Sequence, residues 1–144
     1  MNNTWHTRFF ELAQHVAKWS KDPSKQVGSV IVNDRKQVLS LGYNGFPRGI
    51  DDDSSRLHNR ATKRLFVCHA ERNALDNAFT SVEGATLYAT MHPCNECAKS
   101  IIQRGITTVI THNYDSNDAE TLAAYHFDVA QDMFKEAGIE LLLL

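Results

Sequence analysis

Apolar positions recur along the chain in two rhythms, and these predict its elements. Phe9, Leu12, Ala13, Val16 and Ala17 share one face at helical spacing, which predicts a helix over 9–19. Ser20-Lys21-Asp22-Pro23-Ser24 ends it, because proline disfavours helical geometry in the residue before it. Val27–Val32 is rich in β-branched residues and reads as a strand. Asn33–Lys36 is a turn and Val38–Gly42 a second strand, so the two form a hairpin. Three glycines and a proline exclude a regular element across Gly42–Gly49. Asp51–Arg64 is polar and charged and reads as a long exposed insertion. Connections of that length are uncommon unless they act or carry a short helix.

The second half alternates more regularly. Ala70, Ala74, Leu75 and Ala78 line the apolar face of a helix over 68–79, and Thr86–Thr90 is the third strand. A helix over 94–104 ends at Gly105, a natural residue beyond a helix C-terminus. Ile106–Thr111 is the fourth strand, Asp118–Ala137 a single long helix closed by Gly138, and Ile139–Leu144 a final strand. Helix–strand alternation favours right-handed crossovers and helices on both faces of a mostly parallel sheet. The opening hairpin makes that sheet mixed. The expected fold class is therefore α/β: a three-layer α/β/α sandwich with a five-stranded mixed sheet, in one domain over 1–144. The leucine-rich end reads as an edge strand, which a second subunit is one way to cover.

Composition narrows the function classes. The chain has 144 residues, 42% hydrophobic and 22% charged, ordinary values for a globular protein. Its apolar runs are too short to span a bilayer, and Met1–His6 lacks the basic-then-apolar pattern of a secretory leader. A net charge of -2 favours a small substrate over a nucleic acid. Three cysteines, an odd number, suit a reduced cytoplasmic protein in which Cys68 is a free thiol.

The chemistry gathers in two short motifs, His69-Ala70-Glu71 and Pro93-Cys94-Asn95-Glu96-Cys97. One histidine and two cysteines can hold a zinc ion and leave its fourth position open to water. Pro93 suits the first turn of a helix, with Cys94 and Cys97 on one face of it. The free N–H groups of a helix start stabilise thiolates. Glu71 can take a proton from that water and hand it on to a reacting group. A closed structural zinc site would need a fourth ligand, for which His92 and His112 are candidates, and would leave Glu71 without a role. H-x-E followed by P-C-x-x-C is the signature of zinc nucleobase deaminases.

These motifs lie within longer stretches: Ser20–Gly28 (SKDPSKQVG), Gly42–Gly49 (GYNGFPRG), Cys68–Ala74 (CHAERNA) and Pro93–Lys99 (PCNECAK), the last running on into Ile101–Ile106. On them the chain resembles the deoxycytidylate (dCMP) deaminases of the cytidine deaminase-like superfamily. The resemblance implies hydrolysis of dCMP to dUMP and ammonia, supplying dUMP for dTTP synthesis. It implies one zinc on His69, Cys94 and Cys97, Glu71 as proton shuttle, and Asn44 of the GYNG loop as a nucleotide contact. It also implies a homo-oligomer, commonly a hexamer, activated by dCTP and inhibited by dTTP with Mg2+ on the triphosphate. Arg72 departs from a position that is often apolar in the family.

A monophosphate needs positive partners. Lys21, Lys25, Arg48, Arg60, Lys63 and Arg64 are available, and Arg48 in the glycine loop is the first choice, with Lys21 second. Tyr114 follows the fourth strand at the sheet edge where ligands collect, which makes it a candidate lid. Asp51–Asp53 could place magnesium beside a regulatory triphosphate, and a plain acidic loop is the preferred reading of the two. The alternatives are a deaminase of a free cytosine nucleoside, a free base or transfer RNA adenosine, and, from another class, an inactive nucleotide-binding regulator.

Overall fold

The computed structural model describes residues 3–144, so Met1 and Asn2 of the stretch read against a secretory leader lie outside the described residues. The elements run α1 (Asn3–Ala17), β1 (Gly28–Val32), β2 (Val38–Tyr43), α2 (Ser54–His58), α3 (Arg60–Phe66), α4 (Ala70–Asn77), β3 (Thr86–Ala89), α5 (Asn95–Gln103), β4 (Thr108–Thr111), α6 (Ala119–Tyr125), α7 (Phe127–Glu136) and β5 (Glu140–Leu143). The five strands form one sheet in the order β2-β1-β3-β4-β5. β1 pairs antiparallel with β2 and β3, whereas β3–β4 and β4–β5 are parallel. The sheet is thus evenly mixed rather than mostly parallel, because β3 reverses against the hairpin.

Strand alternation sorts the core into two layers. Val30, Val32, Tyr88 and Ile110 face α1 and meet Phe9, Phe10 and Ala13. Ile31, Leu87, Ala89 and Val109 face the other side and pack with residues of α4, α5 and α7. The expected α/β/α sandwich is what forms. Among the described residues no helix is long and apolar enough to cross a membrane.

Four local readings change. α1 starts at Asn3, earlier than the predicted Phe9, and its last bonds tighten to an i→i−3 pattern through Ser20. The 51–64 insertion carries two short helices, each begun by a side-chain cap: Asp53 accepts from the Ser55 N–H and Asn59 from the Thr62 N–H. Pro93 precedes the first turn of α5 instead of entering it, since Cys94 is the N-cap. The long helix over 118–137 is two helices, broken at His126 in the left-handed conformation with φ 51°. Phe127, Ala130 and Phe134 bury one face of α7 in the core, while α6 turns away across a cavity.

At Gly42, β2 approaches α4 without an intervening side chain. A Cβ at Gly42 would strike the backbone of Ala70 and Ala74. The closeness holds α4, and with it Glu71, against the sheet. Gly42→Ala is expected to destabilise the protein by about 3 kcal/mol, since backbone cannot yield as a side chain can. Urea unfolding checks this, and an unchanged midpoint contradicts it.

Candidate active site

Two helix starts meet at one edge of the sheet. His69 is the N-cap residue of α4 and Cys94 that of α5. An antiparallel bridge between Gly45 and Cys68 ties the glycine loop beside His69. That pairing gives Cys68 a backbone role, and its thiol is free and half-buried. Cys94 Sγ accepts from the Cys97 N–H at 3.4 Å, so the helix start is capped by sulfur.

His69 Nδ1 lies 3.4 Å from both Cys94 Sγ and Cys97 Sγ. The three ligand atoms lie within 4.8 Å of one another. A tetrahedral zinc with Zn–S of about 2.3 Å and Zn–N of about 2.0 Å separates N and S ligands by roughly 3.5 Å, so the donor set fits the ion. The thiols agree with that. Cys94 is held at about 4 by the Cys97 S–H and by His69, while burial opposes. Cys97 is pushed upward by the Cys94 thiolate beside it, by burial and by Glu71. Only one of the adjacent sulfurs carries charge on its own, and a dication held there would make thiolates of both. Among the described residues this group has three members.

His92 and His112 stay outside it. His92 is buried, with Nδ1 2.9 Å from the Pro93 carbonyl oxygen and Nε2 3.2 Å from Gln131 Nε2. Burial lowers its affinity for a proton. His92 therefore braces the turn into α5 rather than binding metal. His112 packs edge-on to Phe10 of α1.

Glu71 is only 4% exposed. Burial pushes its carboxyl up to about 6, against the opposing pull of His69. A carboxyl in that range can both take and give a proton near neutrality. It lines a cavity of about 610 Å³ together with His69 and Cys94.

Lys25, Arg60, Lys63 and Arg64 line the same cavity. Lys63 is paired at 3.0 Å with Asp22, both side chains being nearly buried. Arg60 meets Glu120 of α6 at 3.2 Å in an exposed pair. Lys25 and Arg64 form no salt bridge among the described residues.

The first choices for phosphate lie elsewhere. Arg48 donates to Asn77 Oδ1 at 2.8 Å and Lys21 to Asp52 Oδ2 at 2.7 Å, and neither lines the cavity. Tyr114 is packed between the rings of His92 and Phe127, behind the cavity wall. Asn44 does line the cavity, but its carboxamide is engaged with backbone: Oδ1 accepts from the Val27 N–H and Nδ2 donates to the Lys25 carbonyl. Arg72 points outward into a groove with Asp76 and Lys99. The acidic run is spent locally, Asp52 on Lys21 and Asp53 on the start of α2. Sequence reasoning missed Tyr125 and Asp22, because an aromatic inside an expected long helix and an acid in a turn carry no signal of their own.

An α/β/α sheet with an open His/Cys/Cys site at two helix starts, and a buried acid beside it, defines a class of zinc-site proteins. The profile of the cytidine and deoxycytidylate deaminase zinc-binding region matches residues 3–113, and the chain belongs to that family. Human deoxycytidylate deaminase is 41% identical over 140 residues, covering 92% of this chain and 79% of that protein. An uncharacterized deaminase from the luxG 3′ region of Aliivibrio fischeri is 41% identical over 144 residues, covering 97% and 93%. The crystal structure of the cyanophage S-TIM5 dCMP deaminase in complex with dCMP and dUMP aligns with a TM-score of 0.78 and 26% identity, over 100% of this chain and 99% of that one. The family and its fold are those the motifs implied, and zinc is the metal that both family and donor set support.

Proposed function

We propose that this chain hydrolyses dCMP to dUMP and ammonia. The observation that carries the reading is a buried Glu71 beside the His69/Cys94/Cys97 set, in one cavity with two cations, Lys25 and Arg64, that form no salt bridge among the described residues. Relatives named deoxycytidylate deaminase point to the same substrate.

His69, Cys94 and Cys97 would hold zinc, which when bound would supply the Lewis acidity that makes water a stronger nucleophile at C4. Glu71 takes a proton from that water and delivers it to N3. It then takes the second proton, from the hydroxyl now on C4, and passes it to the exocyclic nitrogen, so that the C4–N bond breaks, ammonia leaves and oxygen stays on C4 as the carbonyl. Burial suits Glu71 to hold the proton between these steps. Lys25 and Arg64 hold the 5′-phosphate through charge-assisted hydrogen bonds. Asn44 positions Lys25 by fixing the loop that carries it.

Free thiols at the site suit the reduced cytoplasm. Control by dCTP and dTTP with Mg2+, and assembly into a hexamer, extend this reading on the strength of the family resemblance.

Steady-state kinetics on dCMP, deoxycytidine and CMP test it. The zinc-loaded protein is expected to prefer dCMP. Replacing both Lys25 and Arg64 by alanine should raise KM for dCMP at least about ten-fold, in keeping with two lost charge-assisted contacts. Turnover of deoxycytidine should be unchanged in that variant. Equal use of deoxycytidine by the unaltered protein would favour a nucleoside deaminase instead.

A further inference from the structure

Tyr125 is the last residue of α6, and its ring is fixed on several sides. It stacks on Phe127 with centroids 5.5 Å apart and planes at 16°. Phe127 is 3% exposed and is itself held by the rings of His92 and Tyr114, at 5.3 and 5.4 Å. Toward the cavity, the Tyr125 ring lies 6.0 Å from the ring of His69. Lys25 Nζ lies 5.6 Å from the same ring. Tyr125 thus stands between a metal ligand and a cation proposed to grip phosphate, where the base and sugar of a nucleotide must lie. The left-handed turn at His126 places it there, by sending α6 across the cavity while α7 stays in the core.

We infer that Tyr125 is a specificity-determining residue, a rigid aromatic wall that packs against the pyrimidine and leaves no room for a two-ring base. The inference rests on the nucleotide reading above. Aromatic–base contact accepts any flat ring, so the selectivity comes from the wall's position. The Phe127 stack keeps that wall from retreating.

The test is calorimetric binding of dUMP and dIMP to zinc-loaded protein, alongside kinetics with dCMP. Tyr125→Ala is expected to weaken dUMP binding about ten-fold and to raise KM for dCMP more than it lowers kcat. It should also narrow the preference for dUMP over dIMP about ten-fold. Tyr125→Phe should stay within about three-fold of the parent on all three, since it keeps the ring. Tyr125→Leu keeps bulk without a π face and should retain the preference while losing dUMP affinity; it serves if the alanine variant fails to fold. Unchanged dUMP affinity and unchanged preference in folded Tyr125→Ala would overturn the inference. Damage by Tyr125→Phe equal to that by alanine would also overturn it, by assigning the effect to the hydroxyl. A parent protein that binds dUMP through Tyr125 but does not turn over dCMP sinks the proposed reaction and leaves this inference standing; one that binds no dUMP sinks both.

Discussion

Glu71→Gln is expected to lower turnover of dCMP by roughly 10³-fold while leaving zinc in place, a loss typical of removing a general acid–base group. Glutamine keeps the shape of the side chain but cannot carry a proton to N3 or to the leaving amine. Glu71 lies outside the group of three that meets around the metal position, so the ion has no reason to leave. The substitution also removes a negative neighbour that raises the Cys97 thiol, which favours thiolate formation there. Steady-state kinetics with metal analysis on the same sample measures both parts. Near-normal turnover would end the assignment of Glu71 as proton shuttle. Loss of zinc would recast Glu71 as a ligand.

Cys97→Ala is expected to weaken zinc binding by more than about 100-fold and to abolish activity with it. Losing a ligating thiolate costs more than the roughly 10- to 100-fold lost with outer partners. The variant also deprives Cys94 of the S–H that most lowers its proton affinity. Cys97 is buried in the core layer between α4 and α5, so a structural cost follows as well. The clean readout is the rise in melting temperature on adding zinc, because a ligand bound only by the folded state stabilises it in proportion to its affinity. That rise should vanish in Cys97→Ala and persist in Cys68→Ser, whose thiol is outside the group. A full zinc-dependent rise in Cys97→Ala would contradict the site.

The His69, Cys94 and Cys97 group that could hold a metal was readable because its chemistry is tied to short spacings on helix starts. His69–Glu71 and Cys94–Cys97 each span less than one turn, so local geometry alone nearly fixes them. The layers were readable because helix and strand alternate through the second half, and the unbroken apolar run Val30-Ile31-Val32 serves cores on both faces of the sheet. The cations that line the cavity were not, since which of them enters it depends on how the 51–67 segment folds back. Arg48 and Lys21 found polar partners on their own side, and α3 carried Arg60, Lys63 and Arg64 to the cavity. The break at His126 was hidden because Ala119–Glu136 has no glycine or proline to announce it. What stops the helix is the burial of Phe127 and Phe134 on α5 and the sheet, which one straight helix through Tyr125 would not combine with a covered cavity.

The most direct test of the proposed reaction follows oxygen. Zinc-loaded protein is incubated with dCMP in 18O-water, and the nucleotide is analysed by mass spectrometry alongside released ammonia. The account predicts dUMP carrying one 18O at C4 and one equivalent of ammonia per dUMP, with deoxycytidine converted far more slowly. Recovery of unlabelled, unchanged dCMP from protein that holds its zinc would contradict it.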